Sequence, residues 1–329
     1  MSIAIMTSGG DCAGMNPAIK VFVDQCFDYE VEPYLIYDGL EGLIDGQIKK
    51  ATHSDVGGIM HEGGTILGSS RSKRFFEYEY RKQAYENLQK YGIDKIVILG
   101  GDGSFRALNQ FYKDFGVSFV GVPSTIDNDI FGTEYCLGVD TALNIIRMSI
   151  DSIRDTSASF KRGCVIETMG RDCGYLALVS ALTNGAEVCL IPELEYDLDA
   201  VGQRLKKEIS DGRRYIVSVV AEGTGMTQKV VDWLENDVGI ETRATILGHT
   251  QRGGNPTVHD RLMAVEFVTH AVRKLICDDT DEGLVVVYNK GEFSFVTIDY
   301  VNSDTYKIEP QLLNMALKLS QNIQIKCAK

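Results

Sequence analysis

Seven short apolar runs, Ile3–Met6, Lys95–Leu99, Ser118–Val122, Cys164–Glu167, Glu187–Ile191, Ile216–Val220 and Leu284–Tyr288, are separated by stretches of helical period. Runs of this length, bounded by glycine and acidic turns, read as buried strands. The clearest amphipathic stretch between them carries Leu143, Ile146, Ile150 and Ile153 at near-helical spacing, with Asn144, Arg147 and Asp151 off that face. Successive strands pair in parallel only when the chain crosses back, and a helix is the usual crossover. The alternation therefore predicts an α/β fold of two Rossmann-like α/β/α domains, with mainly parallel sheets covered on both sides. The 329 residues are enough for two modest domains, each with its own core. Six prolines, no low-complexity tract and no internal repeat leave the boundary to be inferred from pattern. Near the C-terminus, Phe293–Tyr300 alternates like a half-exposed strand, and Pro310–Gln321 reads as a helix.

Composition narrows the class. A net charge of −13 argues against a nucleic-acid partner or an anionic membrane surface. No run approaches the roughly 18 apolar residues of a membrane span. Met1–Thr7 lacks a basic segment ahead of its apolar stretch and reads as a strand rather than a targeting segment, which places the chain in the cytoplasm. Cysteines at 12, 26, 136, 164, 173, 189, 277 and 327 form no Cys-x-x-Cys pair and are expected as reduced thiols. An acidic protein that handles phosphates must concentrate arginine where they sit, and Arg71, Arg162, Arg171, Arg243 and Arg252 fall beside glycine or acidic motifs.

Three loops follow predicted strands. Thr7-Ser8-Gly9-Gly10-Asp11 leads into a helical pattern, so backbone N–H groups and a helix N-terminus can face an anion. It is neither a P-loop nor a Gly-x-Gly-x-x-Gly dinucleotide turn. Gly100-Gly101-Asp102-Gly103-Ser104 places an acid where it could hold a metal on a nucleotide phosphate, or simply cap a tight turn. Thr125-Ile126-Asp127-Asn128-Asp129 sets two carboxylates at i and i+2. They point the same way if the segment is extended and splay if it turns. Burying both uncompensated is costly, so a cation or a proton-transfer role is their natural use. Ligands of parallel sheets bind at the carboxyl ends of strands, where such loops converge.

These residues carry a family likeness. The sequence resembles the bacterial-type 6-phosphofructokinases in Thr7–Asp11, Gly63-Gly64-Thr65, Gly101–Ser104, Thr125–Asp129, Met169-Gly170-Arg171, Glu222 and Gly248-His249-Thr250-Gln251-Arg252-Gly253-Gly254, over about three-quarters of the chain. The resemblance implies a larger nucleotide-binding domain, 1–137 plus 251–304, and a smaller sugar-phosphate domain, 138–250 plus 305–329, with the active site in the cleft between them. It implies a homotetramer that shares active sites between subunits. The activity implied is transfer of the γ-phosphoryl of ATP to the 1-hydroxyl of fructose 6-phosphate.

On that likeness Asp127 is the general base, and Asp102 and Asp129 help hold Mg²⁺ on the nucleotide phosphates. Thr125 and Arg171 address the transferring phosphoryl group, and Arg71 bridges the donor phosphates. Gly10, Tyr37, Ser72, Gly103 and Ser104 line the donor site. His249 and Arg252 hold the sugar 6-phosphate, with Arg162 and Arg243 supplied by a neighbouring subunit; Glu222 accepts sugar hydroxyls, and Met169 and Gly170 shape the pocket. Arginine's fork suits phosphate better than lysine's point charge.

The chain departs from the family in places. Pyrophosphate-using relatives carry Asp at Gly103 and Lys at Ser124, so Gly103 favours ATP, while Ser124 matches neither kind. Ser72, Phe76 and Ala107 also differ around the nucleotide. At the family's effector site Lys20, Arg154, Glu187, Arg213 and Arg214 match or nearly match. Asp24 and His53 replace arginines there, and Gly57-Gly58 replace a Ser-Asp pair. A carboxylate beside a phosphate repels it, so weakened or altered control by ADP or phosphoenolpyruvate is expected. The alternatives are a pyrophosphate-dependent enzyme, a kinase of a related ketose phosphate such as sedoheptulose 7-phosphate, a non-catalytic nucleotide- or sugar-phosphate-binding subunit, and a lipid or NAD kinase sharing only the Gly-Gly-Asp-Gly loop.

Overall fold

The computed structural model describes residues 1–278 and 282–323; Cys327 and the end of the expected second domain lie outside them. Chain contacts divide it into two units. The first comprises Met1–Ile126, Ile130–Thr141 and Arg252–Tyr306; the second comprises Asp127–Asp129, Ala142–Gln251 and the chain from Lys307 onward.

The first unit holds β1 (Ser2–Thr7), β2 (Glu32–Ile36), β3 (Ile48–Lys50), β4 (Ile93–Gly100), β5 (Ser118–Pro123), β10 (Gly283–Asn289) and β11 (Glu292–Thr297) in the order β11-β10-β5-β4-β1-β2-β3. Pairing is parallel except at the two edges, where β3 runs against β2 and β11 against β10. The chain leaves β1 toward β2 on one side and builds β4 on the other. The ends of β1 and β4 therefore flank a switch point, where parallel sheets open a crevice. The second unit holds β6 (Gly163–Thr168), β7 (Val188–Leu190), β8 (Ile216–Ala221) and β9 (Thr242–Ile246), all parallel, in the order β7-β8-β6-β9. The α/β class and the two mainly parallel sheets are as the alternation predicts.

Burial explains the regularity. Val165, Val188, Leu190, Ile216 and Val220 of the second sheet pack with Val201, Leu205, Val230 and Leu234 of the flanking helices. Each such side chain contributes about 1.5–3 kcal/mol when fully buried. The helix Asp102–Phe115 buries Phe105, Leu108 and Phe111, and it stops at Gly116, whose φ of 71° an L-residue rarely adopts and whose N–H donates to Tyr112 O at 2.7 Å.

The structure corrects three readings. The stripe on the helix Val139–Phe160 is centred on Ala142, Ile146, Ile150 and Ser157, with Leu143 and Ile153 only half-buried. The strand expected over Phe293–Tyr300 ends at Thr297, whose hydroxyl accepts the Tyr300 N–H at 3.2 Å and starts the helical turn Ile298–Val301. The strand expected over Glu187–Ile191 is shorter, because the Glu187 carboxylate is used on the Val217 N–H at 2.7 Å.

Among the described residues no disulfide links the cysteines; Cys277 is exposed and Cys12, Cys26, Cys136, Cys164, Cys173 and Cys189 are buried. Burial pushes the Cys164 thiol up to about 11 and those of Cys173 and Cys189 up to about 12, and raises Cys12 and Cys26 as well. Only the thiolate is a nucleophile. Iodoacetamide at pH 8 is therefore expected to alkylate Cys277 in the native protein and to spare these six until denaturant is added; peptide mapping that finds Cys164 or Cys189 labelled without denaturant contradicts this. No helix among the described residues is long and apolar enough to cross a membrane.

Candidate active site

In the first unit the glycine loops after β1 and β4 touch. Ser8 donates its N–H to Leu99 O at 3.0 Å, and Ser104 Oγ donates to Ser8 Oγ at 2.9 Å. A Cβ on Gly100 would lie 2.8 Å from Ser8 O, so only glycine lets the loops close up. The third loop begins at the same place, with the Ser124 N–H on Gly100 O at 2.9 Å. Ser124 is buried and turns its hydroxyl back onto Val122 O at 3.0 Å, so it takes no space from a ligand. Gly63 and Gly254 meet for a similar reason, since a Cβ on Gly63 would stand 2.2 Å from Gly254 O.

Arg252 belongs to this unit. It lays its guanidinium over the first loop, with Nη1 on Asp11 O at 3.3 Å; a Cβ on Gly10 would fall 2.1 Å from that nitrogen. A residue expected on the acceptor side thus packs on one expected on the donor side. Arg71 is exposed, Tyr37 is half-buried, and the buried Ser72 accepts the Phe75 N–H at 3.0 Å. Gly101 and Gly103 differ from Gly100: a Cβ on either meets nothing within 4 Å, and neither needs a positive φ. Packing therefore does not explain Gly103.

Asp102 opens the helix Asp102–Phe115, where the helix dipole favours an acid. Its Oδ2 pairs with Arg106 Nη2 at 2.7 Å, while Oδ1 is buried without a hydrogen-bond partner. An orphaned carboxylate oxygen at a phosphate-type loop fits a magnesium ion that phosphates would otherwise coordinate. Among the described residues no group of three or more His, Cys, Asp or Glu could hold a metal by itself, so such an ion would need further ligands from the nucleotide or water.

In the second unit Asp127–Asp129 turns rather than extends. Asn128 takes a φ of 52°, a left-handed conformation that Asn tolerates better than most residues. Asp127 is 1% exposed, and its Oδ2 stands 3.3 Å from Nε of the half-exposed Arg171. Arg171 also has a left-handed backbone, with φ of 52°. The turn is held from outside: Glu222 Oε1 accepts the N–H groups of Gly170 at 3.2 Å and Arg171 at 2.9 Å. Gly223 allows this approach, because its Cβ would fall 1.9 Å from Arg171 O. Glu193 Oε1 accepts the Gly174 N–H at 2.8 Å, and burial raises its carboxyl above the ordinary range. Met169–Arg171 and Glu222 directly follow β6 and β8, and His249 is the third residue after β9; the three strands are adjacent in one sheet.

Arg162 and Arg243 lie elsewhere. Both bind Glu241, Arg162 through Nε at 3.0 Å and Arg243 through Nη2 at 2.5 Å. Arg162 precedes β6 and Arg243 is the second residue of β9, so both sit at the amino-terminal edge of the sheet whose carboxyl-terminal edge carries Arg171 and His249. At about 3.3 Å per residue the sheet separates the two sets by more than an arginine can span. A single chain cannot place all of them on one phosphate. Among the residues expected at an effector site, Lys20 pairs with Asp24 at 2.7 Å, and His53 Nδ1 lies 3.8 Å from the same carboxylate. Arg213 binds Glu208 at 2.8 Å and also Glu187, whose carboxyl burial raises. Arg154 donates to Asn184 O, and Arg214 is exposed in a groove with Lys161 and Glu241.

Sequence reasoning assigned no role to Gln251, Glu193, Glu241 or Ser8. Gln251 and Ser8 lie inside motifs of the sequence; Glu193 and Glu241 carried no signal, because each meets its partner only through the fold.

The first unit holds glycine-lined loops and an orphaned acid at a helix start, and the second holds a buried carboxylate on an arginine; each is equipment of the kind that phosphoryl transfer uses. A Phosphofructokinase family model matches residues 2–275. A protein named ATP-dependent 6-phosphofructokinase from Sulfurimonas denitrificans is 56% identical over 318 residues, 96% of this chain and 99% of that one. A solved phosphofructokinase of Saccharomyces cerevisiae matches with a TM-score of 0.87 at 32% identity, over 97% of this chain; this chain spans 46% of the yeast chain. A solved pyrophosphate-dependent phosphofructokinase from Marinobacter aquaeolei shares the fold alone, with a TM-score of 0.82 at 18% identity over 94% of this chain and 86% of its own. The chain belongs to the phosphofructokinase family.

Proposed function

We propose that the protein is an ATP-dependent 6-phosphofructokinase, which phosphorylates the 1-hydroxyl of fructose 6-phosphate to give fructose 1,6-bisphosphate and ADP in glycolysis. The observation that carries this reading is the pair formed by buried Asp127 and exposed Arg171 at 3.3 Å, a proton acceptor beside a group suited to phosphoryl charge. Asp127 takes the proton of the 1-hydroxyl as that oxygen bonds to the γ-phosphorus and the bond from phosphorus to the β,γ-bridging oxygen breaks. Arg171, Arg71 and Thr125 meet the charge on the transferring group. The Thr7–Asp11 and Gly100–Ser104 loops cradle the donor, lined also by Tyr37 and Ser72. Magnesium, held with the help of Asp102 and Asp129, would neutralise charge on the donor phosphates. His249 and Arg252 hold the sugar 6-phosphate, with Met169, Gly170 and Glu222 shaping the pocket.

Arg162 and Arg243 serve the sugar phosphate of a second copy of the chain, which the opposite edges of the sheet support; a homotetramer with shared sites fits this, and a cytoplasmic location fits a glycolytic enzyme. ATP as donor rests on the open space above Gly103, on the inward-turned Ser124 hydroxyl, and on relatives so named. A coupled assay comparing Mg-ATP with Mg-pyrophosphate on fructose 6-phosphate tests it. Turnover is expected with ATP at least about a hundredfold above pyrophosphate, a difference of about 2.7 kcal/mol in transition-state binding; faster turnover with pyrophosphate overturns the donor assignment.

A further inference from the structure

Within the run Gly248–Gly254, the buried Gln251 has no task in the proposed chemistry. Gln251 is 1% exposed, yet both ends of its carboxamide are used. Oε1 accepts the Met169 N–H at 3.2 Å, and Nε2 donates to Gly248 O at 3.0 Å. The first bond crosses 82 residues of sequence and reaches the loop that carries Arg171; the second closes the turn that carries His249.

Strands β6 and β9, which these loops follow, are neighbours, and their ladder ends with the Leu247 N–H on Glu167 O at 3.2 Å. Beyond that point the backbones no longer bond directly, and Gln251 is what carries the connection forward. We propose that Gln251 is a positioning residue: it sets the Met169–Arg171 loop against the His249 turn, so that the groups for the transferring phosphoryl and for the sugar 6-phosphate keep a fixed separation. A buried amide suits the task because it supplies a donor and an acceptor at once, whereas a carboxylate supplies only acceptors. The assignment rests on the proposed sugar-phosphate role of His249 and Arg171.

Two variants test it. Gln251→Met keeps the volume and removes both bonds; Gln251→Glu keeps an acceptor for the Met169 N–H and loses the donor to Gly248 O. In Gln251→Met the KM for fructose 6-phosphate is expected to rise by about tenfold or more, the loss typical of one or two buried hydrogen bonds, while the KM for Mg-ATP stays within about twofold and the melting temperature hardly moves. Gln251→Glu should fall between this variant and the parent. Amide hydrogen exchange followed by mass spectrometry should show the segment containing Met169 exchanging faster in Gln251→Met but not in Gln251→Glu. A fructose 6-phosphate KM within twofold of the parent in Gln251→Met, or a parallel shift of both KM values together with the melting temperature, overturns the positioning role. A parent enzyme inert toward fructose 6-phosphate would overturn the proposed function instead, and the exchange measurement would still decide the bridge.

Discussion

Replacing Asp127 with serine is expected to lower kcat by about 10³- to 10⁴-fold, the upper range for loss of a general base, while changing either KM by no more than a few-fold. The reason lies in the geometry of one side chain. Asp127 is 1% exposed, so its carboxylate is aimed by the packing around it rather than by solvent. Serine is shorter and far less basic, and it fits the same space without a clash. Because the effect falls on proton removal, it appears in kcat, and in kcat/KM to the same degree. Circular dichroism should show the fold intact. A serine variant that retains more than a tenth of the parent turnover would remove Asp127 from its assigned role.

Arg171→Ala is expected to reduce kcat by about 10²- to 10³-fold, comparable to loss of one donor to a charged transition state. Arg171 is about half exposed and its backbone is held by Glu222 through the Gly170 and Arg171 N–H groups, so the loop keeps its course when the side chain is cut back. Alanine and arginine meet the same cost at a φ of 52°, and this isolates the guanidinium as the cause. Arg171→Lys restores the charge but not the planar fork, and recovery of less than about tenfold is expected. Steady-state kinetics with fructose 6-phosphate in excess read both variants. Full recovery by lysine would mean that charge alone matters there, and an alanine variant with near-normal kcat would place Arg171 outside the reaction.

Local pattern made the loops legible. Apolar runs ending in glycine and acid announced strand ends, and the parallel sheets then brought Ser8, Gly100, Ser104 and Ser124 together as such loops require. Strands without that pattern were not visible. β2 has Pro33 as its second residue, and β9 is an edge strand reading Thr-Arg-Ala-Thr-Ile with mostly exposed side chains, so neither shows a clean apolar run. The turn at Asn128 could not be chosen in advance, because Asp-Asn-Asp is compatible with either course. The placement of Arg162 and Arg243 on the far edge of the sheet needed the strand order, which no local spacing encodes. Gln251 and Glu222 act on backbone 82 and about 50 residues away; their types were visible, but their partners were not.

The most direct test of the account is the product itself. Purified protein incubated with fructose 6-phosphate and Mg-ATP, followed by ³¹P NMR, is predicted to yield a second sugar phosphomonoester resonance in step with ADP, identifying fructose 1,6-bisphosphate. ADP and inorganic phosphate without a second sugar phosphate, or a second sugar phosphate formed only when pyrophosphate replaces ATP, would contradict it.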